Sequence, residues 1–257
     1  MIGRLLTFAA IASAAKAQGL VREVRSGLSV PPYTLAPERR VSLCVPAHQE
    51  EKYIGTLIRS AHNQTYPFHD LVVADTGVDG AAHLARNFDA LVVTAPYGNI
   101  GASRNLAASY SQGEILVFAD ADMLLHAQFV ERAVAALEQG AALVHPRTVF
   151  YDSAGWNLSF FPLQAFRPYW VTSGCVAVWR DVYEAVGGYD ELCNPMAPLG
   201  ERCAEDQEFG HQVAAAYGRE SIKLLPWLVG TSARRWKAQG VSREHFEIPV
   251  RARLHRR

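Results

Sequence analysis

The apolar run Ile115 to Ala119 stops abruptly at Asp120-Ala121-Asp122, and Gly113 just before it marks a loop. Five apolar residues bounded in this way describe a buried central strand. Asp120 and Asp122 then stand at its carboxyl end. In open α/β sheets that edge faces the ligand crevice. Residues two apart on extended backbone point the same way, so both carboxylates can converge on one hard cation such as Mg²⁺ or Mn²⁺. An ordinary turn is the competing explanation, because Asp also favours turns and helix caps.

The rest of the chain alternates strand and helix. Val41 to Val45 reads as a first strand, and Glu50 to Asn63 as a helix with apolar positions at Tyr53, Ile54, Leu57, Ile58 and Ala61. Leu71 to Ala74 and Leu91 to Thr94 are further strands, with helices over Gly80 to Asn87 and Gly101 to Ser111. This order predicts an α/β, doubly wound, mostly parallel sheet flanked by helices in a single domain. The second half is less regular: a helix over Phe129 to Leu137, strands at Ala142 to Val144, Val171 to Trp179 and Lys223 to Leu225, a helical turn over Asp181 to Val186, and a helix over Ala204 to Tyr217. Between them, Phe150 to Tyr169 is rich in aromatic rings, which suit a core or a sugar-stacking platform equally.

With 257 residues, 49% of them hydrophobic and 19% charged, the chain can bury a full core. A formal net charge of zero carries no electrostatic footprint of a nucleic-acid partner. The four cysteines, Cys44, Cys175, Cys193 and Cys203, lack zinc-site spacing. Cys44 and Cys175 read as core residues, and a Cys193 to Cys203 disulfide is compatible with an oxidising compartment. Near the start, Arg4, the apolar Leu5 to Ala15 stretch and Ala15-Lys16-Ala17 suit a secretory signal or a surface helix that buries Leu5, Phe8, Ala12 and Ala15. A docking or membrane-surface helix is favoured, with no later membrane span. Residues 1–40 are taken as a helical and linker segment, 41–240 as the main domain and 241–257 as a basic tail. That tail reads as solvated, with weak anchoring to anionic headgroups as the alternative.

Several ordered motifs resemble the inverting glycosyltransferases of family 2, with the GT-A fold, over Val41 to Gly240. Val45-Pro46-Ala47-His48-Gln49-Glu50 resembles the first strand and nucleotide loop, and Gln64-Thr65-Tyr66-Pro67 the end of the first helix. Gly101-Ala102-Ser103-Arg104-Asn105 precedes the acidic motif Asp120-Ala121-Asp122. Ser173-Gly174-Cys175, Gly187-Gly188-Tyr189-Asp190, Ala204-Glu205-Asp206 and Thr231-Ser232-Ala233-Arg234-Arg235-Trp236 follow in order. The resemblance divides the domain into a nucleotide-sugar half, 41–122, and an acceptor half, 123–240. Two departures stand out: His48-Gln49 replaces the usual Tyr-Asn, and the loop Asp75 to Gly80 is one residue short, leaving both Asp75 and Asp79 as candidates for the base edge.

The resemblance implies transfer of a sugar from a nucleotide-diphosphate donor to a glycan or lipid-linked acceptor. It assigns Asp206 as general base with Glu205 beside it. Donor contacts fall to Pro46, Ala47, Glu50, Asp75, Asp79, Arg104, Asp120, Gly174, Arg234, Arg235 and Trp236. Asp122 is the expected direct ligand of Mn²⁺ or Mg²⁺, Asp120 a further contact, and His211 or His145 a possible third ligand. The implied location is cytoplasmic, with peripheral membrane contact an option. A nucleotidyltransferase is disfavoured, because the loop after the first strand is acidic where a triphosphate needs a Gly-rich, basic cradle. A catalytically inactive binding module of the same fold is the non-enzymatic alternative.

Overall fold

The computed structural model describes residues 12, 14–22, 38–153, 157, 171, 174–193, 204–234 and 237, and the side chains among these except those of 226–228. The expected alternation is present: β1 (Val41–Ala47), α1 (Ile54–His62), β2 (Asp70–Asp75), α2 (Ala81–Arg86), β3 (Leu91–Thr94), α3 (Ile100–Tyr110) and β4 (Ile115–Ala119). Then follow β5 (Leu124–Leu125), α4 (Phe129–Glu138), β6 (Leu143–Phe150), β7 (Cys175–Trp179), α5 (Arg180–Ala185), α6 (Glu205–Tyr217), a 3₁₀ turn (Arg219–Ser221) and β8 (Ile222–Thr231).

All eight strands share one sheet, in the order β3-β2-β1-β4-β7-β6-β8-β5. The β3-β2-β1-β4 half is parallel, and β7 joins β4 antiparallel. β1 and β4 are buried along their whole length, as their apolar runs require. Helices cover both faces. Leu43, Val45, Ile115 and Val117 pack on one side with α1 and α4, while Cys44, Leu116 and Phe118 pack on the other with α3, Tyr189 and Phe209 of α6.

The order of strands forces a curl. Four strand spacings separate β4 from β5, about 19 Å if the sheet were flat. The link from Ala119 to Leu124 reaches at most about 17 Å when fully extended. It is not extended, since the Met123 N–H bonds the Asp120 carbonyl at 3.1 Å. The sheet therefore rolls until its last strands stand over the tip of β4.

Two strands run longer than the sequence suggests. β6 continues past Pro146 and β8 past Pro226, and their parallel pairing shifts register between Pro146 and Thr148. The irregularity accommodates a missing ladder donor. Beyond it, Thr148 to Phe150 pair with Val229 to Thr231, carrying β8 to the strand tips.

Residues 14–22 are helical and buttress this edge: Ala17 and Leu20 are buried against Leu124 and Val149. Of the expected buried face, Leu5 and Phe8 lie outside the described residues, and the rest is corrected here. Ala12 and Ala15 are exposed, because the Ala17, Leu20 and Val21 stripe, spaced three and four apart, is the one that meets the sheet. No described helix is long and apolar enough to cross a membrane. Cys44 and Cys175 are buried free thiols, whereas Cys193 is disulfide-bonded; Cys203, considered as its partner, lies outside the described residues. The basic tail and most of the aromatic connection also lie outside them.

Candidate active site

α3 carries two side chains, Arg104 and Asn105, that meet the same turn around Tyr189. Asn99 caps the helix, its Oδ1 accepting the Ala102 N–H at 2.9 Å, as an N-cap Asn does. One turn on, Arg104 points inward and is 1% exposed. Its Nη2 donates to Asp120 Oδ1 and its Nη1 to Glu205 Oε1, both at 2.7 Å. The guanidinium lies over the Tyr189 ring, 4.9 Å from its centroid. Asn105 fixes that ring: it donates to the Tyr189 carbonyl and accepts from the Tyr189 N–H, each at 2.9 Å. The Gly187 to Asp190 turn is thus tied to the helix that carries the arginine.

Asp120 is shaped by Gly174 as well. The Asp120 N–H bonds the Gly174 carbonyl at 3.1 Å. Gly174 has φ +58°, and a Cβ there would run into the Asp120 carboxylate. Only glycine meets both conditions.

Across the cluster, Glu205 and Asp206 open α6, with Glu208 adding a third acid in its first turn, a placement the helix dipole favours. Asp206 is half-buried, and its Oδ1 accepts the Gln207 N–H at 2.8 Å. Its pKa is pushed up to about 7. Burial is the main cause and the Glu205 charge adds to it, the Arg104 guanidinium pulls the other way, and Asp120 raises it further. A carboxylate poised near neutrality suits proton abstraction.

Asp122 belongs to a second cluster. Because Leu124 pairs with Gly230, β8 delivers Thr231 to the motif, and its hydroxyl donates to Asp122 Oδ1 at 3.3 Å. Arg234 Nε approaches Asp122 Oδ2 at 3.2 Å while Nη2 pairs with the Glu50 carboxylate. The same guanidinium covers Tyr53, 4.3 Å from the ring centroid. Tyr151 donates to the Asp122 carbonyl at 3.1 Å. Asp152 anchors the segment: it accepts from Ser232 Oγ at 2.8 Å and the Ala233 N–H at 2.7 Å, and pairs with Lys237 at 3.2 Å. Those contacts hold its carboxyl below the usual range despite burial.

The donor set around Asp122 is all hard oxygen, and a guanidinium already stands where a cation would. It fits Mg²⁺ or Mn²⁺ in its chemistry. Among the described residues no three acids, histidines or cysteines gather as a ligand cluster, so His211 in α6 and buried His145 in β6 do not complete one with Asp120 and Asp122. Asp120 is turned to Arg104 instead.

At the tips of β1 and β2, Pro46 and Ala47 form the buried end of β1 and pair with Ala74 and Asp75. Asp75 and Asp79 separate clearly. Asp79 uses both oxygens locally, accepting the Glu51 N–H at 2.9 Å and the Ala81 N–H at 3.0 Å, the turn and cap arrangement. Asp75 is 2% exposed, gives Oδ2 to the Gly77 N–H, and keeps a buried Oδ1 that meets no donor among the described residues. Burial raises its pKa, and the Asp79 charge adds to that against the Gly77 bond. His48 Nδ1 contacts Thr76 Oγ1 at 2.8 Å, and its ring meets the exposed Tyr97 edge-on at 5.0 Å. Arg235 and Trp236 lie outside the described residues. Tyr151 and Asp152 were not singled out in the sequence, and Thr231 only as the first residue of the basic motif, since their roles depend on β8 reaching the strand tips.

The model of the family described as "Glycosyl transferase family 2" matches residues 42–178, more than half of the chain. The chain belongs to glycosyl transferase family 2. A 4,4'-diaponeurosporenoate glycosyltransferase from Staphylococcus haemolyticus is 34% identical over 101 residues, 37% of this chain and 27% of the relative. The chain thus spans only about a quarter of that relative's length. Among solved structures, residues 1–349 of S. aureus TarS match with a TM-score of 0.60 at 20% identity, over 76% of this chain and 60% of that one. Glucosyl-3-phosphoglycerate synthase from Mycobacterium tuberculosis, in complex with Mn²⁺, UDP-glucose and phosphoglyceric acid, matches with a TM-score of 0.58 at 23% identity, covering 79% and 75%. The expected GT-A fold of family 2 is therefore the fold of this chain.

Proposed function

We propose that the protein is an inverting, metal-assisted glycosyltransferase, moving a sugar from a nucleotide-diphosphate sugar to an acceptor hydroxyl, or to a lipid phosphate, in surface-glycan or glycolipid synthesis. The observation that carries this is the Asp120–Arg104–Glu205 bridge. It ties the donor-side motif at the tip of β4 to the start of α6, where Asp206 stands as a carboxyl poised near neutrality. Family membership and the structural likeness to a synthase holding Mn²⁺ and UDP-glucose support the same donor class.

Asp75 accepts an N–H from the nucleobase through its unused Oδ1, with Pro46 and Ala47 as the floor beside it. Asp122, with Thr231 beside it, would hold Mn²⁺ or Mg²⁺, which would supply Lewis-acid charge to the leaving diphosphate. Arg234 adds a planar guanidinium suited to phosphate, and Arg235 and Trp236 close the same segment. Asp120, kept in place by Arg104 and Gly174, orients the donor's ribose or sugar. Asp206 takes the acceptor hydroxyl proton as that oxygen attacks the anomeric carbon. The diphosphate leaves on the opposite face, so the anomeric centre inverts. A positioned base contributes roughly 10²- to 10⁴-fold. The basic tail suits a protein working at the cytoplasmic face of a membrane on a membrane-borne acceptor.

The test is a calorimetric panel of UDP- and GDP-sugars with and without Mn²⁺ on the wild type, Asp122→Ala and Asp206→Asn, followed by turnover with the donor that binds. Cation-dependent binding of one donor is expected, lost in Asp122→Ala and kept in Asp206→Asn, whose turnover collapses. Near-normal turnover of Asp206→Asn would sink the base assignment, and no donor binding to folded wild type would return the inactive binding module.

A further inference from the structure

Arg234 does not wait in solvent for a phosphate. It is only 26% exposed and is held from four directions. Its Nε faces Asp122 Oδ2 at 3.2 Å and its Nη2 the Glu50 carboxylate, both on side chains only 6% exposed. The Tyr53 ring lies beneath the guanidinium. Its backbone N–H bonds Ser232 Oγ at 3.2 Å, and Ser232 is fixed on Asp152. Glu50 follows β1 and Asp122 follows β4, so one guanidinium spans the tips of the two central strands.

We infer that Arg234 is a resident counter-cation of the Glu50–Asp122 carboxylate pair, and that it must give up Asp122 for a divalent ion to bind there. This rests on the metal-assisted donor site proposed above. The two cations contend for one carboxylate oxygen. A guanidinium and a divalent ion cannot both sit against Asp122 Oδ2 without direct repulsion in a poorly hydrated site. With no donor present, Arg234 has nowhere better to go, and the divalent ion binds weakly. A diphosphate changes this, because it offers the released guanidinium two oxygens in the geometry that suits its fork. Nucleotide and metal then favour each other's binding, and linkage makes the effect reciprocal. The device keeps the carboxylates covered between turnovers and delivers Arg234 to the leaving group only after the ion has arrived.

Mn²⁺ titration of the full chain by calorimetry and by the paramagnetic resonance of free Mn²⁺, with and without UDP and GDP, tests this in the wild type, Arg234→Gln and Arg234→Lys. Arg234→Gln should bind Mn²⁺ alone about tenfold more tightly than the wild type, within the usual range of coupling between sites. Its synergy between Mn²⁺ and nucleotide should largely vanish. Arg234→Lys, which keeps the charge and loses the fork, should bind Mn²⁺ alone about as weakly as the wild type while showing reduced synergy. Mn²⁺ affinity of Arg234→Gln equal to or below that of the wild type overturns the exchange, and so does undiminished synergy. If Arg234→Gln does not fold, Arg234→Lys with wild-type synergy overturns it alone. Wild-type protein that binds nucleotide with no cation requirement removes the metal-assisted reading itself, a different failure from a change confined to the Arg234 variants.

Discussion

Replacing Arg104 with Met keeps most of the side-chain volume and removes the charge that Asp120 and Glu205 share. Removing one partner of a buried ion pair costs about 3–5 kcal/mol. Asp120 retains 19% exposure and Glu205 8%, so part of the penalty is relieved by water, and about 3 kcal/mol is the better figure. For a chain of 257 residues, an unfolding entropy near 2.1 cal/mol/K per residue turns this into a fall in Tm of about 6 °C. The loss must depend on pH. Asp206, deprived of the guanidinium, holds its proton more tightly when folded, so the defect is largest at pH 8 and shrinks as the pH falls. Arg104 also pulls the Asp206 pKa down. Its loss should therefore move the acid limb of kcat/KM upward from about pH 7. Thermal melts at pH 8 and pH 5.5, with a pH–rate profile of the variant, measure both. A Tm change below about 2 °C at pH 8, or an equal loss at both pH values, would refute the idea that Arg104 neutralises this cluster.

Three more outcomes follow from the same geometry. In the wild type, kcat/KM should fall tenfold per pH unit below about pH 7, because the protonated Asp206 cannot accept the acceptor proton; a flat profile from pH 5 to 8 removes its role as base. Gly174→Ala should lose about 1–2 kcal/mol in chemical denaturation from its left-handed φ, and because its Cβ meets Asp120 it should also raise the donor KM; a change in stability alone would detach Gly174 from donor binding. Asp75→Asn, which removes a charge raised in pKa by burial, should leave stability unchanged or improved while weakening nucleotide binding about tenfold, whereas Asp79→Asn should mainly weaken the start of α2; equal nucleotide affinity in the wild type and Asp75→Asn would displace Asp75 from the base edge.

The parallel half was legible because β1 and β4 are continuous apolar runs with punctuation at both ends, and the acids after β4 mark the crevice by their abruptness. Arg104, Gly174 and Asp206 could be named only through the family resemblance. Nothing in the local pattern around Arg104 says that it will be buried between two carboxylates supplied by residues 16 and 101 positions away. β6 and β8 were cut short for a definite reason. Each expected strand stops at or just before a proline, Pro146 or Pro226, whereas the folded strands run on through a register shift that tolerates the missing donor. With β8 read as ending at Leu225, only the family resemblance brought the Thr231 motif to the donor site, and the Asp152 anchor was invisible. Asp79, left beside Asp75 as a candidate for the base edge, is instead held in the turn and cap arrangement that an Asp before Gly80 favours.

The short link between β4 and β5 sets the mechanics of the site. It crosses from the middle of the sheet to its far edge and carries Asp120 and Asp122 on the way, so it works as a strap that keeps the roll from opening. The two ends of the sheet cannot swing apart without tearing Leu124 and Leu125 from β8. The acidic motif thereby becomes the fixed point to which Thr231 and Arg234 are tied.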